Sequence, residues 1–118
     1  MSVERALKFN ELIKKELGKI IFNFLDIKPD VLVTITQVLT NPNLFTSDIY
    51  ISVYPSSEAK KILNKLNRSI YQLQQLLNRK LEVRPVPKIF FKYDKNPEEA
   101  AQIEKLLSDL SKNQSNDE

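Results

Sequence analysis

Apolar residues follow two different periods along this chain, and the switches between them divide it into elements. From about Ser2 to Leu25, Phe9, Ile13, Leu17, Ile20 and Phe24 recur every three or four positions. Leu12 and Ile21 widen the stripe, while Lys8, Lys15 and Lys19 lie off it. That spacing predicts an amphipathic helix with one buried face. Gly18, the only glycine, falls inside it at a cost of about 1 kcal/mol relative to alanine; close packing is the expected reason. Asp26 to Asp30, with Pro29, ends the helix. The period then drops to two. Val31, Val33 and Ile35 alternate with Leu32, Thr34 and Thr36 in a strand expected from Val31 to Leu39. Asn41-Pro42-Asn43 is a turn signal, and Asp48 to Tyr54 alternates again, Ile49, Ile51 and Val53 against Tyr50, Ser52 and Tyr54. Two such strands joined by a short loop predict a hairpin.

Helical spacing returns after Pro55-Ser56-Ser57-Glu58, which offers a serine cap and an acid in the first turn. With no Gly or Pro before Pro85, the helix is expected to run unbroken from Ser57 to about Lys80. Ala59, Leu63, Leu66, Ile70, Leu73 and Leu77 form its inward line. Opposite them, Lys61, Lys65, Arg68, Gln72, Gln75 and Arg79 fall along one ridge. Leu81 to Val86 crosses back to a third strand, Pro87 to Tyr93, with Ile89, Phe91 and Tyr93 on one face and Lys88, Phe90 and Lys92 on the other. Asn96-Pro97-Glu98-Glu99 combines an N-cap, proline at the first helical position and acids in the first turn. Ala100, Ile103, Leu106, Leu107 and Leu110 continue a last amphipathic helix, and residues 111–118 form a polar tail expected to be disordered. The predicted class is α+β, in the order α-β-β-α-β-α. A three-stranded sheet with its helices on one face buries every stripe within a single domain, residues 1–110.

Composition narrows the chemistry. The chain has 118 residues, the length of one domain, and neither histidine nor cysteine. Disulfides, Cys/His zinc sites, thiol or Ser-His nucleophiles and imidazole acid–base groups are therefore excluded. No apolar run is long enough for a membrane span, so a cytoplasmic protein with no membrane partner is expected. The net charge of +3 conceals a division: residues 1–95 carry 16 Lys/Arg against 9 Asp/Glu, residues 96–118 only 2 against 6. Between Lys60 and Lys95 there are 10 positive residues, opposed by Glu82 and Asp94 alone. That is the footprint of a polyanion-binding surface, although a solvated face would show the same excess. The ridge sharpens the reading, because a helix built for solubility usually mixes Glu and Lys at i,i+4 and this line holds no acid.

Three segments carry a family resemblance. Val33-Thr34-Ile35-Thr36-Gln37-Val38, Asn41-Pro42-Asn43-Leu44 and Asp48-Ile49-Tyr50-Ile51-Ser52-Val53 resemble the hairpin of bacterial ribosome-binding factor A, close to V-T-I-T-x-V, S-x-D-L and A-x-V-Y-V-S-V. Leu81-Glu82-Val83-Arg84-Pro85-Val86-Pro87-Lys88-Ile89-Phe90-Phe91-Lys92-Tyr93-Asp94 is similar to that family's L-x-L-R-x-V-P-x-L-x-F-x-Y-D signature. Lys8-Phe9 and Ile13-Lys14-Lys15-Glu16 fit its opening helix, so the resemblance spans roughly residues 5 to 110. It implies a type II KH-like fold. It also implies a ribosome-binding factor acting late in maturation of the small (30S) ribosomal subunit, near the 5′-terminal helix of its RNA, with links to rRNA processing and cold adaptation. The family's Ala-x-Gly kink falls here on Ser69-Ile70-Tyr71, its nearby arginine on Gln74 and its loop aspartate on Asn43. With tyrosine in place of the glycine, the helix is expected to run straight, Tyr71 packing on the start of the third-strand segment.

The candidate RNA contacts are Lys61, Lys65, Arg68, Arg79 and Lys80 on the helix, Arg84 in the crossing segment, and Lys88 and Lys92 on the strand. Lys and Arg meet phosphate oxygens and release counterions, giving affinity before specificity. For Arg84, an ion pair with Glu82 or the acidic last helix is an equal reading. Tyr50, Tyr54 and Phe90 fall on the helix-free sheet face, where cross-strand packing is a commoner role than base stacking. Glu98, Glu99 and Asp94 show no convergence on a metal or acid–base site. The expectation is a non-catalytic, cofactor-free monomer that binds small-subunit rRNA. A KH-like domain for another structured RNA, or a protein–protein adaptor, are the alternatives.

Overall fold

The computed structural model describes residues 2–26 and 28–94; the helix expected from Asn96, the polar tail and the domain's C-terminal boundary lie outside them. Helix α1 spans Ser2–Phe24, strand β1 Leu32–Thr40 and strand β2 Thr46–Tyr54. A 3-10 turn, Ser56–Glu58, leads into α2, Ala59–Arg68; α3, Ile70–Lys80, and strand β3, Lys88–Tyr93, follow. The sheet order is β1-β2-β3, with β1 antiparallel to β2 and β2 parallel to β3. A parallel pair cannot be closed by a tight turn, and α2 with α3 supplies the crossover. The class is α+β, as the periodicities predict.

One core holds the layers together. Ile13 and Leu17 from α1, Leu66 from α2, and Leu73 and Leu77 from α3 are fully buried. They meet Ile49, Ile51 and Ile89 from the sheet within a single cluster. Along β2 and β3 the buried residues alternate with more exposed ones, so all three described helices cover the same face. Fully burying each such Leu or Ile is worth roughly 1.5–3 kcal/mol. Among the described residues no helix is long and apolar enough to cross a membrane.

Two departures from strict periodicity shape the fold. In β1, Ile35 pairs with Ile51 and Gln37 with Tyr50, leaving Thr36 as an extra residue in a β-bulge. Unbroken alternation would turn Gln37 into the core. The bulge instead buries Val38 and leaves Gln37 exposed. Thr36 Oγ1 donates to the Asp94 carboxylate at 2.6 Å, which ties the end of β3 across β2 to β1.

The second departure overturns the expectation of a straight helix from Ser57 to Lys80. It breaks at Ser69, whose φ of −105° and ψ of 14° leave the helical region. The Ser69 N–H divides itself between the Lys65 and Leu66 carbonyls, each at 3.2 Å, and Leu73 N–H returns to Ser69 O at 2.9 Å. So the ladder is bent at one residue with little loss of hydrogen bonding. The cause is tertiary. α2 packs on β2 and β3, whereas α3 packs on α1 and β3. Burying Leu66 on one side of the bend and Leu73 and Leu77 on the other outweighs a propensity cost of about 1 kcal/mol. The bend also changes the inward line: Ile62 is buried and Leu63 only half so. Tyr71 does not pack on the third-strand segment; it stands 76% exposed.

Both edge strands are protected by a helix-borne amide. Asn10 Oδ1 on α1 accepts the Thr40 N–H of β1 at 2.8 Å. Gln74 on α3 accepts the Ile89 N–H at 2.9 Å and donates to Pro87 O at 3.1 Å, so its side chain pairs with β3 as a short strand would.

Candidate nucleic-acid interface

The candidate cations fall on two surfaces, the helix ridge and the strand face. Lys88 and Lys92 alternate with buried Ile89 and Phe91, and therefore point to the side of the sheet that carries no helix among the described residues. Lys61, Arg68 and Arg79 are exposed on helices that bury Ile62, Leu66, Leu73 and Leu77 against the opposite side. One sheet thus separates two sets of positive charge.

On the helix side, the break at Ser69 divides the ridge. Lys61, Lys65 and Arg68 belong to α2, with Arg68 in its last turn, and Arg79 and Lys80 end α3. Lys61, Lys65 and Arg68, joined by Lys28, surround a cavity of about 170 Å³ between α2 and the α1–β1 connection. Val31 and Ile62 line it, and Asp26 and Glu58 contribute carboxylates. Lys28 was not among the expected contacts, because it stands outside the periodic segments. Only folding brings it beside α2.

The helix-free face is differently balanced. Lys92 Nζ lies 3.4 Å from Asp48 Oδ2, the one ion pair within 4 Å among the described residues. Lys88 Nζ sits over the Phe90 ring at 5.6 Å from its centroid. Both cations on this face therefore have a partner within the chain. Tyr50, Tyr54 and Phe90 do share it, in the register Tyr54 opposite Leu32, Tyr50 opposite Gln37 and Lys92, and Phe90 opposite Asp48.

Arg84 is turned back on its own loop, Nη1 donating to Leu81 O at 2.6 Å and Val83 O at 2.9 Å. That satisfies carbonyls where α3 ends, and the guanidinium's other N–H groups are left to face outward. Tyr71 is the exposed aromatic that the sequence reading assigned to packing. It stands just past the break, three positions beyond Arg68.

Such a surface suits a sugar-phosphate backbone: lysines and an arginine on a helix flank, without an ion pair among the described residues and with no acid along the ridge itself. The comparisons with known proteins agree on one family. The model of the ribosome-binding factor A family matches residues 5–107. Ribosome-binding factor A of Clostridium botulinum (strain Hall) is 29% identical over 119 residues, covering 99% of each chain. The crystal structure of ribosome-binding factor A from Thermus thermophilus superposes with a TM-score of 0.62 at 21% identity, covering 75% of this chain and 94% of that one. A homology model of the Thermus thermophilus factor, fitted into a cryo-electron-microscopy map of its 30S complex, gives a TM-score of 0.58 at 23% identity, covering 72% of this chain and 91% of that one. With the family match spanning nearly all of the sequence, the chain belongs to the ribosome-binding factor A family.

Proposed function

We propose that this chain is a non-catalytic, monomeric factor of the cytoplasm that binds the small (30S) ribosomal subunit during its maturation and supports processing of its rRNA. It grips that RNA, near the 5′-terminal helix, through Lys61, Lys65, Arg68, Arg79 and Lys80. The observation that carries the reading is the basic flank of α2 and α3 in a chain of this family; a relative of the same fold has been fitted into a 30S complex. Among the described residues, none of these five cations has a carboxylate within 4 Å, whereas Lys92 is neutralised by Asp48. Phosphate can replace water on the free cations without first breaking an ion pair. The helix flank is therefore the primary surface, and Lys88 and Lys92 are secondary.

Co-sedimentation with purified small subunits tests this directly. Replacing Lys61, Lys65, Arg68 and Arg79 together by glutamate leaves the core untouched and should abolish binding. Replacing Lys88 and Lys92 should weaken it only a few-fold. Equal binding by a folded quadruple variant would refute the helix flank as the RNA surface. Binding that is insensitive to salt would favour a protein adaptor instead.

A further inference from the structure

The cavity between α2 and the α1–β1 connection has features that a surface meant only for phosphate does not need. At about 170 Å³ it far exceeds the volume of about 10–15 Å³ required to admit one water, and it has room for an aromatic ring. Val31 and Ile62, 8% and 5% exposed, make part of its wall apolar. Glu58 and Asp26 place acceptors among four cations, and no ion pair within 4 Å joins them to Lys28, Lys61, Lys65 or Arg68 among the described residues. A bare anion would gain nothing from the apolar wall and would be repelled by the carboxylates. A purely apolar side chain would leave the carboxylates and the cations unanswered. Phosphate, a flat apolar ring and an amino group together use every feature of the lining, and a nucleotide carries all three.

We propose that this cavity seats one unpaired nucleotide of the bound RNA, its phosphate on Lys61, Lys65 and Arg68 and its base against Val31 and Ile62. Glu58 selects bases with an exocyclic amino group: a carboxylate accepts from cytosine N4–H₂, whereas uracil presents O4, a second acceptor, at the same position. Cytidine is therefore held in preference to uridine. The inference rests on the RNA-binding reading above and adds a base-selective subsite to it.

The test uses the full chain, with hexacytidylate, hexauridylate and inorganic phosphate as probes. Methyl spectra report on Val31 and Ile62, and co-sedimentation with small subunits is followed in parallel. Hexacytidylate should shift both methyl sets and bind at least about fivefold more tightly than hexauridylate, the scale of one good base-edge contact. Glu58→Gln, whose amide can both donate and accept, should level the two affinities without altering the fold. Methyl signals that no oligonucleotide moves, or that phosphate alone moves equally, would overturn the subsite while retained co-sedimentation kept the wider reading intact. Equal affinity for the two oligonucleotides would overturn the role of Glu58. Failure of the unmodified chain to bind subunits would overturn both.

Discussion

A Cβ added at Gly18 would meet nothing within 4 Å beyond its own helix and chain neighbours, so close packing does not explain the glycine. It contributes only backbone entropy to the unfolded chain, and Gly18→Ala should stabilise the fold by about 0.5–1 kcal/mol, read as a higher urea midpoint at unchanged slope. An unchanged midpoint would mean that α1 is held there by something other than propensity. Gln74 is the opposite case. Its amide answers Ile89 N–H and Pro87 O at β3, and it also reaches Asn78 Oδ1 at 3.1 Å. Gln74→Ala leaves two part-buried backbone groups without that partner and should cost roughly 1–3 kcal/mol by the same measurement. A neutral result would show that water takes the amide's place. Leu44, at φ 67°, is the non-glycine residue in the left-handed region among the described residues. Two asparagine turns flank it: Asn41 Oδ1 accepts from Asn43 N–H, and Asn43 Oδ1 accepts from Phe45 N–H. They hold the hairpin loop in a conformation that costs a leucine about 1–2 kcal/mol.

At the scale of elements, the break between α2 and α3 separates local preference from tertiary demand. Ser69 makes no side-chain cap hydrogen bond, so its hydroxyl does not create the bend. Ser69→Ala should therefore keep the break and change stability by no more than about 0.5 kcal/mol, the propensity difference between the residues. Backbone chemical shifts across Arg68 to Tyr71 check this. A continuous helix in the variant would assign the bend to the serine. The family's glycine is thus not required for the bend: packing of α2 on β2 and β3, and of α3 on α1, sets it. The bulge at Thr36 acts similarly on β1, exchanging one unpaired residue for the burial of Val38.

Among the described residues, the helix-covered side carries outward cations with no carboxylate within 4 Å, and the opposite sheet side carries two lysines that are engaged. Salt and pH should separate these properties. Replacing Lys61, Lys65 and Arg68 by glutamine would remove up to three of the proposed phosphate contacts, and the slope of log K against log salt should fall by about 2–3. The same change at Lys88 and Lys92 should leave the slope nearly intact. An equal loss from both surfaces would mean that RNA wraps the molecule. The pH dependence follows from composition. With neither histidine nor cysteine, no side-chain type in the sequence has an ordinary pKa between about 5 and 8. Subunit affinity and stability should then be flat from pH 6 to 8, as equilibrium unfolding and co-sedimentation at three pH values would show.

Periodicity in the sequence was sufficient for α1, the three strands and the inward positions Leu66, Leu73 and Leu77, because each stripe must be buried whatever it packs against. The third-strand signature was sufficient for the family. The grouping of the charged residues was legible only in part, since alternation separates the strand face from the helix ridge but does not show that Lys92 meets Asp48 or that Lys28 joins the ridge. Lys88 and Lys92 were read with Phe90 on the strand face opposite Ile89 and Phe91, and that is where they lie, across the sheet from the ridge. Lys28 looked incidental and lies beside Lys61. Helix propensity favoured a straight run through Ser69, and only the competition between two packing surfaces bends it there. Local sequence set the elements by the solvent preference of each side chain, and the tertiary structure set the site because charge acts through space and not along the chain.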